Sequence, residues 1–188
     1  MPRPKLVSDT EVLDATLGVM LQLGPDRFTL TDVANKVGLS RAALIQRFGD
    51  KAALQRQTMQ RQTDEVYEYF AQAPQTTGLR ALWAMLRDLI DGMGAGEGFS
   101  GYLLLAWGDV NDPHLNRLAR ERNALVRHSI VSRLPPGPEA ETNAGLIHAV
   151  IQGASMLWMI DQQGGLAEFV EAETRKVIER LYPGQALD

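Results

Sequence analysis

The sequence predicts an all-α protein. Apolar residues recur at spacings of three and four along nearly every segment, and no segment shows the alternation that marks a strand. Helix-capping residues and glycines separate these segments. The 188 residues are 45% hydrophobic and 22% charged, a composition that suits a globular protein with an apolar core. We expect about nine helices and no internal repeat.

The first third of the chain divides into three short helices and one long helix. A hydroxyl residue precedes each of the short helices, at Ser8, Thr29 and Ser40. The first two caps are followed three residues later by an acidic residue, which completes a capping box. Glycines at positions 24, 38 and 49 end the three segments. The fourth helix then runs from near Lys51 to Ala73.

Five further helices fill the rest of the chain. Their apolar periodicity and the Pro and Gly residues between them place them at about 79–93, 100–108, 113–134, 139–163 and 166–182. Asp112 caps the third of these, with Pro113 at its first position. The glycine-rich stretch 92–98 interrupts the first, and we interpret it as a moving segment at the mouth of a pocket.

Charge is unevenly distributed along the chain. Residues 1–61 hold nine Lys and Arg against six Asp and Glu, a net charge of +3, whereas residues 62–188 carry -7. A basic N-terminal third on an acidic body is expected when one part of a protein meets a polyanion and the rest stays away from it.

Several kinds of chemistry find no support. With zero cysteines the chain has no disulfide, thiolate metal site or cysteine nucleophile. No two of its histidines, at 114, 128 and 148, share the close spacing of a metal site, and no serine lies in a nucleophile turn. We predict no metal, no cofactor and no catalytic residue. No apolar run reaches membrane length and no signal peptide is evident, so we expect a cytoplasmic protein without a membrane partner.

Residues 29–51 have the features of a helix-turn-helix. Ala34 is small enough for two helices to cross closely, and Gly38 permits the left-handed backbone of a tight turn. The second helix presents Arg41, Gln46 and Arg47 on its outer face with no acidic residue among them. Such a face fits a DNA major groove.

The segment after this helix, Arg47-Phe48-Gly-Asp-Lys51-Ala-Ala-Leu54, resembles the signature with which TetR-type transcriptional regulators enter their fourth helix. The resemblance covers about residues 8–56 as motif and the remainder as architecture only. It implies an N-terminal DNA-binding domain at 1–50 and an effector-binding and dimerisation domain at 51–188.

The resemblance and the charges together predict the DNA-binding residues: Thr29, Ser40, Arg41, Ala42, Ala43, Ile45, Gln46, Arg47 and Lys51. Among them Arg41 is the candidate for reading guanine and Lys51 for a phosphate, although either is also compatible with a solvated surface residue. Ile45 stands where the family usually has a tyrosine that contacts the DNA backbone. We expect Arg47 or Gln46 to replace that contact, or else weaker operator binding.

Two flanking residues extend this prediction. Arg3 and Lys5 precede the first capped helix and form either an arm that follows a phosphate or minor groove, or a disordered tail.

The larger domain is rich in aromatic residues and methionine, which in this family line a cavity for a small apolar or aromatic ligand. We select as ligand-binding candidates Trp83, Leu86, Tyr102, Leu103 and Trp107; the alternative for each is an ordinary core position. The apolar faces of the last two helices are wider than packing on the core of their own domain requires, and the resemblance implies that these helices pair with those of a second copy. The predicted dimer contacts are Ile147, Ile151, Ala154, Trp158, Phe169 and Val177.

These expectations describe a homodimeric repressor that binds a palindromic, double-stranded DNA operator and is released by a small-molecule effector. Two recognition helices must then lie about 34–36 Å apart, or at a multiple of the helical turn. The competing hypotheses are a helical protein-interaction module and an enzyme on the same fold, neither of which would bind DNA.

Overall fold

The computed structural model describes residues 7–187 and confirms the all-α prediction for them. The helices are α1 Asp9–Leu23, α2 Leu30–Val37, α3 Arg41–Phe48, α4 Lys51–Gln72, α5 Leu79–Asp91, α6 Phe99–Asn111, α7 Pro113–Val131, α8 Ala140–Ile160 and α9 Leu166–Leu181. No strand occurs between residues 7 and 187. The predicted arm of Arg3 and Lys5 lies outside the described residues.

The helices belong to two compact units. The first contains the described residues of 1–66 together with 100–121, and the second those of 67–99 and 122–188. The predicted division into domains at residue 50 stays a prediction.

The predicted caps start α1, α2 and α3. Ser8 and Thr29 each form a complete capping box, and Ser40 Oγ accepts a hydrogen bond of 3.1 Å from the Ala43 N–H. Gly38 closes α2 with φ of 71°, the left-handed conformation that the tight turn before α3 requires. Local sequence signals therefore set the positions of the first three helices.

In the first unit, α6 and the start of α7 join the core of the N-terminal helices. Leu105, Leu115 and Leu118 are buried in one apolar cluster with residues of α1 to α4. Glycines allow α6 to approach closely: a Cβ at Gly101 would overlap the Leu21 carbonyl, and one at Gly108 would lie 2.9 Å from a ring carbon of Pro25. The N-terminal helices thus form one core with a segment from the middle of the chain.

In the second unit, the glycine-rich segment packs on the ring of Trp158. A Cβ at Gly96 would overlap this indole, whose Nε1 donates to the Gly164 carbonyl at 3.1 Å. The Ala167 N–H, in the first turn of α9, donates to the Gly94 carbonyl at 3.0 Å. The segment is therefore tied to α9 in this structure, and its role at a pocket mouth stays a prediction.

Helix α8 is, among residues 7–187, the one helix whose length and composition would suffice to cross a bilayer. The expectation that no apolar run reaches membrane length holds for uninterrupted runs, since polar residues such as Asn143, His148 and Gln152 lie within this helix. Averaged over 18 residues, the helix is nevertheless apolar enough to cross. In the structure α8 buries six residues within the second unit, packed chiefly against α9.

Candidate nucleic-acid interface

Helix α3 presents one face outward because its other face is anchored in the core. Leu44 is 0% exposed and Phe48 5%, and both belong to the apolar cluster of the first unit. Arg41, Ala42 and Gln46 are exposed, as is Ile45. No acidic residue occurs in this helix. The predicted orientation of a polar, cationic outer face is confirmed by these exposures.

A groove of about 610 Å³ runs beside this face, between the α1–α2 loop and the start of α4. Four of the predicted DNA-binding residues line it: Thr29, Arg41, Ile45 and Lys51. The other lining residues are Asp26, Arg27, Phe28, Leu30, Gly49 and Asp50. Three cations and two carboxylates give this lining a net positive charge. Arg27 is not among the predicted residues, because it lies in the α1–α2 loop, outside the helix-turn-helix at residues 29–51.

Lys51 fastens the start of α4 to the α1–α2 loop. Its Nζ donates to the Asp26 carbonyl at 2.7 Å and lies 4.6 Å from the centre of the Phe28 ring. An ammonium has three N–H groups, so two are left for other acceptors. The residue predicted to contact phosphate thus also holds the groove together.

Thr29 is occupied by the capping box of α2. Its hydroxyl donates to the Asp32 carboxylate at 2.7 Å, and the Asp32 N–H donates back to the hydroxyl oxygen at 3.2 Å. The hydroxyl bond, followed by a bond from the Thr29 N–H, lowers the pKa of Asp32. Asp32 therefore stays ionised at neutral pH, and Thr29 defines where α2 begins.

The two arginines of α3 have different surroundings. Arg41 is exposed and forms no ion pair with any residue in 7–187. The Arg47 guanidinium binds the Asp9 carboxylate through Nε at 2.9 Å and also through a terminal nitrogen, and it lies 5.3 Å from the centre of the Phe48 ring. Asp9 is not recognisable as a partner from the sequence, because 38 residues separate it from Arg47.

The five ligand candidates are divided between the two units. Trp83 and Leu86 of α5 are buried in the second unit, at 2% and 0% exposure. Tyr102, Leu103 and Trp107 belong to the part of α6 in the first unit, where Trp107 is 65% exposed. Trp83 Nε1 is buried and has no hydrogen-bond partner among the described residues.

Four of the six predicted dimer contacts lie inside the second unit of a single chain. These are Ile147, Ile151, Ala154 and Trp158, all less than 10% exposed, while Phe169 and Val177 of α9 are half-buried. The apolar side chains that α8 leaves accessible are Leu146, Met156, Leu157 and Ile160. The predicted set of dimer contacts stays a prediction.

Acidic residues and histidines do not gather into a metal site: between residues 7 and 187 no three of them lie close enough together. His148 of α8 is half-buried, and its burial, with a smaller effect of Arg127, lowers its pKa. This histidine is consequently neutral at physiological pH.

Known proteins resemble the chain in two ways. The sequence model for bacterial regulatory proteins of the tetR family matches residues 12–58. No curated protein matches the chain. A TetR transcription regulator from Haloarcula marismortui superimposes with a TM-score of 0.77 at 17% identity, over 91% of this chain and 94% of its own. A transcriptional regulator from Rhodococcus gives 0.72 at 19% identity, over 92% and 97%.

The regulator FadR from Bacillus subtilis, solved in complex with stearoyl-CoA, gives a TM-score of 0.62 at 15% identity, over 95% of this chain and 100% of its own. At these identities the superpositions establish the shared fold, and the match at residues 12–58 covers the helix-turn-helix itself. The predicted resemblance is confirmed: residues 12–58 match the tetR-family model, and the chain has the fold of regulators of that kind.

Proposed function

We propose that this protein is a homodimeric, ligand-responsive repressor that binds a palindromic operator through α3 and acts on the chromosome in the cytoplasm. The observation that carries this proposal is the outer face of α3, where Arg41 is exposed, lacks an ion pair with described residues and lies beside the cationic groove. An unpaired guanidinium on a short, acid-free helix is suited to a polyanion.

Each side chain of this face suits a different contact. Arg41 addresses the O6 and N7 acceptors of guanine in the major groove, with Gln46 and the small residues Ala42 and Ala43 beside it. Lys51 gives its remaining N–H groups to a phosphate. Ile45 is 40% exposed and donates no hydrogen bond, and its apolar surface suits a thymine methyl group.

Dimerisation is supported by the accessible apolar residues of α8. Leu157 is 63% and Ile160 82% exposed, and side chains of this kind gain stability when a second surface covers them. A two-fold pairing would present two copies of α3 to successive grooves of one DNA face.

A small apolar effector is supported by Trp83. Its buried indole N–H has no partner among the described residues, and a bound ligand with an acceptor atom would satisfy it. FadR, which shares the fold, binds an acyl-CoA. Helix α4 has residues in both units, so we propose it as the element through which ligand binding changes DNA affinity.

The test is to select bound duplexes from a random pool and then to measure affinity for the recovered sequence over a range of salt concentrations. We expect a palindrome and a steep salt dependence, because several phosphate contacts release counterions. Arg41→Ala should narrow the difference between operator and random DNA by about 1–3 kcal/mol per half-site. Lys51→Ala should weaken binding to all sequences and flatten the salt slope by about one per subunit.

The control is Arg80→Ala, which removes an exposed arginine from α5 in the second unit and should leave both quantities unchanged. Recovery of no preferred sequence, or equal effects of the Arg41 and Arg80 variants, would refute DNA readout by α3. Both alternatives, an interaction module and an enzyme, predict that outcome.

A further inference from the structure

Arg47 and Asp9 form a contact that connects the recognition helix to the start of α1. The guanidinium donates to the carboxylate through Nε, at 2.9 Å, and through a terminal nitrogen, and its Cζ lies 5.3 Å from the centre of the Phe48 ring. The Arg47 side chain is 27% exposed, whereas that of Asp9 is 71% exposed. The Arg47 side chain is thus partly covered by the protein, and two of its five N–H groups already donate to Asp9.

Helix α3 depends on such contacts for its orientation. It has eight residues, and a helix of that length has little stability of its own in water. Leu44 and Phe48 anchor its inner face, and the Gln57 side chain holds the Phe48 carbonyl from α4 at 3.2 Å. Among the described residues, Arg47 is the α3 side chain that forms an ion pair, and it is the polar link to α1.

We infer that Arg47 is a positioning residue: through Asp9 it fixes the direction in which α3 presents Arg41, and it does not itself bind the phosphate backbone. The DNA part of this inference rests on the proposed function. Both nitrogens donate to the same oxygen, Asp9 Oδ1, so the contact adds a directional polar restraint to the apolar anchors Leu44 and Phe48. It follows that Asp9, an acidic residue outside the helix-turn-helix, contributes to DNA recognition.

The sign of one substitution separates positioning from phosphate binding. Asp9→Asn removes a negative charge, so a purely Coulombic effect would strengthen binding to DNA. Loss of positioning weakens it, by about two- to fivefold per half-site for an exposed ion pair. Arg47→Met should weaken binding by a similar factor, and the double variant should be no worse than either single one, since both remove the same link.

The matched control is Asp14→Asn. Asp14 also lies on α1 and pairs with an arginine, Arg61 of α4, at 2.7 Å, so its removal changes the charge equally without touching α3. We expect unchanged or tighter binding. The salt slope should stay the same in Arg47→Met, whereas loss of a phosphate contact would flatten it by about one per subunit.

Hydrogen exchange of the free protein tests the positioning without DNA. Amides of residues 41–48 should exchange faster in Asp9→Asn and Arg47→Met than in the wild type, with those of α2 unchanged, and Asp14→Asn should match the wild type. Unchanged exchange in α3, tighter binding by Asp9→Asn, or a flattened slope in Arg47→Met would each overturn the inference. If the wild-type protein selects no duplex, the proposed function fails, and the exchange result still decides whether Asp9 holds α3.

Discussion

At the scale of single residues, the buried hydroxyl group of Thr174 differs from other buried hydroxyl groups in the helices, because it lacks a hydrogen-bond partner among the described residues. Those of Thr16, Thr58, Thr63 and Ser155 each donate to the carbonyl four residues earlier, at 2.7–2.9 Å. Thr174 of α9 is 0% exposed, yet its hydroxyl has no partner among the described residues. A buried hydroxyl without a hydrogen bond lowers stability by about 1–3 kcal/mol.

The second buried polar group without a partner among the described residues is the Trp83 indole N–H, on α5, which packs against α9. Arg87 pairs with Glu171, and one turn away the Arg175 guanidinium lies 5.6 Å from the centre of the Trp83 ring. This antiparallel register sets Trp83 opposite Arg175, the residue that follows Thr174. The donor at Trp83 is the group that an acceptor oxygen of the proposed effector would satisfy.

Thr174→Val should therefore stabilise the protein in the absence of effector. Valine has nearly the shape of threonine, so packing is retained while the unpaired hydroxyl is lost. We expect an increase of about 1 kcal/mol in the free energy of unfolding, which corresponds to roughly 2–4 °C in Tm for a chain of this size. Thermal unfolding followed by circular dichroism measures it.

Thr16→Val is the control, because that hydroxyl is equally buried and donates to the Val12 carbonyl at 2.7 Å. The same substitution there should leave Tm unchanged or lower it by a few degrees. A decrease of Tm in Thr174→Val would show that the hydroxyl has a partner in solution.

At the scale of helices, the sequence predicted starts better than ends. The starts of α1, α2 and α3 depend on caps within three residues of each other, which sequence patterns contain. Helix α6 was expected to end at Gly108, but it continues to Asn111. There glycine provides close approach to Pro25 instead of a helix stop, and that contact comes from residues 83 positions away.

In the candidate site, too, contacts between residues far apart in the sequence could not be predicted. The exposed face of α3 and the position of Lys51 follow from periodicity and from the motif. The partners of Arg47 and Lys51, which are Asp9 and the Asp26 carbonyl, are separated from them by 38 and 25 residues. No local pattern encodes such pairs, because they meet only when α1 to α4 pack around their shared apolar cluster.

The start of α7 provides a prediction for pH. Asp112 accepts hydrogen bonds from the His114 and Leu115 N–H groups and from Arg56 of α4, and the Arg56 bond is the largest cause of its lowered pKa. A carboxyl group with a lowered pKa stabilises the fold above its ordinary value of 3.8, and this contribution is lost as pH falls through the lowered pKa.

Asp112→Asn should lower the free energy of unfolding by about 1 kcal/mol or less at pH 7, because the pair is partly exposed and asparagine still caps the helix. The difference from the wild type should shrink as pH falls below 3.8. Urea unfolding at several pH values measures it, and Arg56→Met should show the same pH dependence. A difference that stays constant down to pH 2 would mean that the charge of Asp112 has no effect on stability.

At the scale of the whole molecule, the two units are linked by the chain itself. It passes from the first unit to the second after residue 66, returns after 99 and leaves again after 121. The first and last of these passages lie inside α4 and α7, whose backbone hydrogen bonds continue across them. These two helices are the elements through which the proposed effector would change DNA affinity.

The proposed dimer gives the last prediction. Leu157→Glu places a charge on the accessible side of α8, where the wild-type side chain is 63% exposed and is expected to meet the second copy. In a two-fold interface the substitution occurs twice, so losing about 2 kcal/mol per subunit weakens association by roughly a thousandfold. Light scattering after gel filtration should then find the 20.7 kDa of one chain instead of twice that mass.

The control is Gln152→Glu, which adds the same charge at an exposed polar position of the same helix. This variant should keep the mass of the wild-type protein unless position 152 also faces the partner. Because a monomer presents a single α3, Leu157→Glu should also lose most of its preference for a palindrome over a half-site, and a variant that stays dimeric would place the interface away from α8.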